Sequence, residues 1–435
     1  MKKIMICLLL SILMDAGPVH GQAGENKMDA SQKAFVLSRF CSEVKYNFVH
    51  YNDLPFDWDS LCRANLPLLT ATGSDDAFLA GLQALCAQLH DGHTYVYALN
   101  NPENPADWVR PFPMKTKRVG DRVFVTAIYN SGLKKQGVEY GCEVLEIDGE
   151  NVIEYAGRHI RPFLASSTPQ WSDYAPFREF ELTKAKGSKV SRILFRNPQG
   201  KTFAAESSRN IPWDLQSAAS ALDFKVLENN TGLLTIHTFQ NNDFQRSEFD
   251  KIYGEILKTD ALIIDIRDNG GGNSGHADYV IRHFSDKPVR QGRWSSRMYI
   301  AAHGSWGYPQ EWYMETPDAM EPVKNKPVYK KPVVLLVNAT TFSAAENFCV
   351  TYRGLKRGKI IGTPTGGSTG NPIFIDLGFG IGCGICTKNE WDVNGRDFIG
   401  IGIIPDIEVK EDAGIFLGRK DNVIEKALAL LKEEL

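Results

Sequence analysis

Residues Lys331 to Glu346 read KPVVLLVNATTFSAAE. The apolar run Val333–Val337, bounded by polar turn residues, predicts a parallel strand covered on both faces. A short turn follows, and a helix opens at Ser343. That places one hydroxyl at a strand-to-helix corner, where free backbone amides and the positive end of the helix dipole face the same space. Amide donors so arranged can stabilise the oxyanion formed when a serine attacks a carbonyl. The same letters, Ser343-Ala344-Ala345-Glu346, also spell a capping box, with Ser343 accepting from the helix and Glu346 reaching back. Alone, that pattern is far more often a cap, so the rest of the chain has to decide.

Outward from this stretch, strands alternate with helices. Leu233–Thr238 reads as a strand, Asp243–Leu257 as a helix with Phe249, Ile252, Tyr253 and Ile256 inward, and Ala261–Ile266 as a buried strand. Ala277–Phe284 and Asp421–Leu431 read as further helices. This alternation predicts an α/β core over residues 206–435. Residues 113–205 are instead β-rich, with strands at Arg122–Ile128, Val144–Ile147 and Val190–Phe195 and a hairpin signal at Asp148-Gly149. Residues 23–112 are mainly helical, because Val36, Phe40, Val44 and Phe48, then Phe78, Leu82, Leu85 and Leu89, recur on one face. Ser74 is the expected cap of the second helix. A proline-rich linker, Asn100–Pro113, separates this segment from the β-rich one.

The chain has 435 residues and a net charge of −3, which argues against a nucleic-acid partner. Residues 1–22 carry Lys2 and Lys3, the apolar run Ile4–Met14 and small residues near Gly21. This is the pattern of a secretory signal peptide, too short to span a membrane. An exported protein, periplasmic or secreted, is expected, with no membrane span after cleavage. Seven of the eight cysteines lie beyond that segment. Buried free thiols, one local disulfide, or a metal or redox pair at Cys383-Gly384-Ile385-Cys386 remain open readings.

A second chemical signal is LIIDIRDNGGG, Leu262 to Gly272. A buried strand running into three glycines lets the backbone approach a ligand closely and aim amides at it. Gly270, Gly272 and Gly275 fit a dinucleotide fingerprint in spacing. The charged strand end at Asp265, Arg267 and Asp268 argues against that use, and a P-loop is excluded because no Gly-Lys-Ser/Thr follows.

LIIDIRDNGGG, TFSAAENF and IGTPTGG together resemble the core of the tail-specific (C-terminal processing) serine peptidases. The resemblance covers residues 30–410 and is strongest to the tricorn-core-like branch. It implies a crotonase-like ββα superhelix core, a PDZ-like module at 113–205 and an N-terminal helical segment. It further implies hydrolysis of peptide bonds in a peptide or unfolded protein, without metal or organic cofactor. By position, Ser343 matches the nucleophile, and Ala344 with Gly270 or Gly271 matches the oxyanion donors. One branch places a lysine base where this chain has Ser368, so a Ser–Lys dyad is not available there. The tricorn-like branch places a histidine base before the PDZ-like module, and Asp91-Gly92-His93-Thr94 matches it. An imidazole can accept the serine proton and return it to the leaving amine. Gly92 and Ile399 depart from this branch, which has a serine and an acidic residue there. Asp397 becomes the candidate orienter of His93, on the premise that 397 and 399 share one face of a strand, with Glu390 and Asp392 behind it. A peptide-binding protein without catalysis, and an acyl-thioester enzyme on the same scaffold, are the rival readings.

Overall fold

The computed structural model describes residues 27–99, 113–178, 190–207, 214–215 and 220–435. The leader and most of the proline-rich linker lie outside them. The architecture is mixed α/β, as expected, and its centre is the quoted stretch. Val333–Val337 sits inside a six-stranded sheet between Ala261–Asp265 and Ile360–Gly362, parallel to both. Thr231–Ile236 and Ile407–Glu408 continue the parallel run on either side, and Leu222–Val226 closes one edge antiparallel. All five side chains of Val333–Val337 are fully buried, which explains the missing polar alternation. Val333, Leu335 and Val337 pack toward the helices Arg246–Ile256, Ser274–Ile281 and Ala344–Leu355. Val334 and Leu336 pack toward the terminal helix Asn422–Glu434. Truncating one of these, such as Leu335, to alanine would cost about 2–5 kcal/mol.

The β-rich region forms one antiparallel sheet in the order Met114–Val119, Arg122–Ile128, Glu143–Ile147, Ser191–Arg196, Thr202–Ser207. The short strand Glu150–Asn151 is added through the expected turn at Asp148 (φ 53°) and Gly149 (φ 84°). A helix at Val152–His159, not anticipated from the sequence, covers this sheet through Val152, Tyr155 and Ala156. Among the described residues the N-terminal segment holds three α-helices, Ala30–Asn47, Trp58–Thr70 and Asp75–Ala87, the last capped by Ser74 as expected. They pack on a small sheet in which Tyr95–Ala98 pairs with Ile381–Ile385. A bond between Cys41 and Cys62 ties the first two helices together. Cys86, Cys142, Cys349, Cys383 and Cys386 are free and buried, so the cysteines combine two of the open readings, one local disulfide and buried thiols.

Candidate active site

The corner after Val337 is built by side chains that replace missing backbone partners. Asn338 N donates to Thr341 Oγ1, and that hydroxyl donates to Ile266 O on the neighbouring strand. Phe342 N donates to Asn269 O, so the turn is sewn to the glycine loop. The chain then reaches Ser343 at φ 57° and ψ −126°. A β-carbon in this region is crowded, at a cost on the order of 1–3 kcal/mol. The helix begins one residue later at Ala344.

The capping-box expectation is not met. The Ser343 hydroxyl makes no cap bond, because its backbone turns the side chain away from the first helical turn. Glu346 feels the Ser343 N–H, but that amide donates to Ser368 O and the carboxylate is held elsewhere. Glu346 is fully buried and accepts from Thr365 Oγ1 (2.5 Å), Gly367 N (2.7 Å) and Ser368 N (2.8 Å). Burial pushes its carboxyl up to about 7, against the pull of those hydrogen bonds.

Ser343 Oγ lies 3.0 Å from His93 Nε2. His93 enters from the loop after the third N-terminal helix, just before Tyr95–Ala98. Asp91 Oδ1 accepts its backbone N–H at 3.0 Å, and Gly92 N donates to Ser167 Oγ at 2.8 Å. Thr94 Oγ1 accepts from Cys386 N, which anchors the loop to the small sheet. The ring is 5 % exposed and stacks on Phe342 with centroids 4.7 Å apart and planes 6° apart. Burial holds its pKa down at about 4, with the Asp91 carboxylate acting in the opposite direction. The imidazole is therefore neutral and able to accept a proton at neutral pH. Neighbouring His90 is exposed, in the left-handed region (φ 51°), with its amide bonded to Ala87 O at the helix end.

Asp397 does not meet the His93 ring. It is exposed and makes an isolated bridge with Trp391. The premise of a strand fails here, because Phe398 O receives the amides of Ile401 and Gly402 in a tight turn. Asp392 folds back on its own loop, accepting from Asn394 N and Arg396 N. Glu390 accepts from Asn347 Nδ2 at 2.5 Å. The second ring nitrogen of His93 instead faces Ser368, with Nδ1 and Oγ 2.8 Å apart.

The glycine loop lies directly against the corner. A β-carbon on Gly271 (φ 92°) would fall 2.6 Å from Ser343 Cβ and 2.9 Å from Ala344 N, so only glycine allows this approach. Gly271 N, however, donates to Asn269 Oδ1 at 2.8 Å. That leaves Gly270 and Ala344 as the amides of the expected set without that commitment. Asp268, just before the loop, is in the left-handed region (φ 62°) and pairs with Lys117 of the antiparallel sheet at 2.6 Å. Asn338 Nδ2 and Thr340 Oγ1 also donate to it.

One contributor carried no sequence signal. Residues 166–178, after the helix of the β-rich region, lie across the site. Thr168 Oγ1 donates to Gly366 O, and Gln170 Nε2 to Thr365 O and Ile401 O. Trp171 stacks on Phe342 at 4.1 Å, and the Arg178 guanidinium lies over Trp171 and against Gly270.

The site thus brings a half-buried serine, a neutral imidazole and a glycine loop into contact, and comparison with known proteins agrees in fold and family. Residues 230–409 match the family model of Peptidase family S41. Mature CPAF complexed with lactacystin superposes with a TM-score of 0.70 at 16 % identity, covering 93 % of this chain and 98 % of that one. The photosystem II D1 C-terminal processing protease gives 0.50 at 17 % identity, covering 87 % and 93 %. These likenesses are in fold, and the mixed α/β architecture of several sheets and helices is consistent with a crotonase-like, PDZ-containing fold. The family match covers the core at 230–409, and together with the likenesses in fold it supports a serine-type peptidase of the tail-specific kind.

Proposed function

We propose that this protein is an exported endopeptidase that cleaves peptides or unfolded proteins through an acyl-enzyme, with Ser343 as nucleophile and His93 as general base. The observation that carries this reading is the 3.0 Å contact between His93 Nε2 and Ser343 Oγ, within the reach a base needs. As Ser343 Oγ bonds to the substrate carbonyl carbon, its proton passes to Nε2 and the carbonyl electrons move onto oxygen. The amides of Ala344 and Gly270 receive that charge at the start of a helix. The tetrahedral species collapses as His93 returns the proton to the leaving amine, and water then repeats the sequence on the acyl-enzyme. No step calls for a metal or an organic cofactor. Residues 113–205 act as a PDZ-like module that holds the substrate tail as an added strand, and residues 1–22 direct export.

A fluorophosphonate followed by intact-mass measurement tests this. The mature protein is expected to gain one adduct that maps to Ser343, is absent in Ser343→Ala and is weakened in His93→Ala. A parent protein that stays unmodified over a broad pH range overturns the reading. The peptide-binding alternative without catalysis is favoured by one observation, the Gly271 N–H already bonded to Asn269, and that outcome would select it.

A further inference from the structure

We propose that Ser368 is the positioning residue of the His93 base, with its hydroxyl standing where a serine hydrolase would ordinarily hold a carboxylate. This rests on the reading of Ser343 and His93 as nucleophile and base, and extends it to the second nitrogen of the ring.

Both backbone groups of Ser368 are already committed. Its N–H donates to Glu346 Oε2 at 2.8 Å, and its carbonyl accepts the N–H of Ser343 at 3.1 Å. The residue is fully buried, so its hydroxyl has a fixed origin and points at His93 Nδ1, 2.8 Å away. One residue therefore holds the backbone of the nucleophile through its carbonyl and the ring of the base through its hydroxyl. Space for this exists because residue 92 is glycine. A β-carbon there would lie 3.3 Å from Ser368 Oγ and 2.9 Å from the Phe342 ring.

A base that takes a proton on Nε2 must carry its own proton on Nδ1. Ser368 Oγ accepts that Nδ1–H, which leaves the Nε2 lone pair facing Ser343. When Ser343 gives up its proton, the ring becomes an imidazolium with an N–H on each nitrogen, and Nδ1–H still has its acceptor. A hydroxyl supports this cation less than a carboxylate would. Two carboxyl groups flank this pair: Asp91 accepts the His93 amide, and Glu346 lies behind Ser368. The Cys386 thiol lies between Asp91 and this loop, and burial keeps it protonated.

The test is Ser368→Ala beside Ser368→Thr in the full mature chain, with thermal unfolding as the control for folding. Ser368→Ala is expected to lower kcat on a peptide substrate on the order of tenfold to a hundredfold with KM nearly unchanged. Ser368→Thr, which keeps the hydroxyl, is expected to restore most of it. In the parent, ¹⁵N NMR of the His93 ring is expected to find the neutral proton on Nδ1. A folded Ser368→Ala with parental kcat, or a parent ring protonated on Nε2, overturns the proposal, and the NMR arm stands even if the alanine variant does not fold. If Ser343→Ala and His93→Ala also keep parental activity, the proposed function fails. If they are inactive while Ser368→Ala is not, only this inference fails.

Discussion

Two neighbouring strands of the central sheet end in the same manoeuvre and spend their polar side chains differently. Ala261–Asp265 leads through the glycine loop to Asn273, whose side chain accepts from Gly275 N and caps the helix Ser274–Ile281. Val333–Val337 leads to Ser343, which stands at the same place before its helix but caps nothing and adopts φ 57°. The first corner uses its polar group for stability. The second accepts backbone strain and leaves its hydroxyl facing an imidazole. Of two similar corners, the one that breaks the local rule is the one to which we assign the chemistry.

The comparison breaks if the two corners respond alike to mutation. Ser343→Gly gives the largest expected effect. It should abolish hydrolysis while raising stability by about 1 kcal/mol, because glycine adopts that backbone without strain. Denaturant unfolding and a peptide assay on one preparation measure both, and a less stable variant would deny the strain. His93→Ala should lower kcat/KM by roughly a hundredfold to ten-thousandfold, and it should also lower the unfolding midpoint, because the buried ring leaves a cavity against Phe342. Gly271→Ala should lose both properties, since the added β-carbon would lie 2.6 Å from Ser343 Cβ. A folded, active Gly271→Ala would mean the two corners are not in contact. The smallest effect is expected at the capped corner. Asn273→Ala should cost about 1 kcal/mol of stability and leave kcat/KM within about twofold.

The pH profile sharpens the same contrast. His93 is depressed from 6.5 to about 4 by burial. The unfolded chain therefore binds the extra proton first as pH falls, and stability from this group declines from pH 6.5 down to 4. Its base form persists through that window, so the acid limb of kcat/KM should fall near pH 4 rather than near 6.5. Glu346 runs in the opposite sense. With its carboxyl raised to about 7, its contribution is fullest below 4.5 and is lost as pH rises through 7. An acid limb at 6.5 would show that the ring is better solvated than its packing against Phe342 implies.

How far the sequence could be read depended on whether a residue's role left a periodic trace. Val333–Val337 was legible to the residue, because burial on both faces leaves an uninterrupted apolar run. The placement of Ser343 before its helix followed from that strand. His93 was legible only through family resemblance, since nothing in a loop near a helix end marks a base. The capping box was misread because spacing fixes which residues can meet and not the backbone angles at the first of them. A real box occurs at Asp29, where Gln32 N donates to Asp29 Oδ1 and Asp29 N to Gln32 Oε1. Asp397 failed because a strand was assumed where Phe398 turns the chain. Ser368 drew notice for the lysine it lacks, yet its bond to His93 joins residues far apart in sequence. The crossing segment 166–178 was missed for the same reason. Its contacts at Gly92, Thr365, Gly366 and Ile401 are all long-range.

The distances along the chain have a consequence for when this protein can act. His93 is separated from Ser343 by 250 residues and from Ser368 by 275. Closing loops of that length comes late in folding, once local helices and hairpins have formed. A partly folded chain carries the serine and the histidine but not the contact between them. On the proposed mechanism, a half-folded copy surrounded by unfolded polypeptide therefore cannot cut its neighbours or itself.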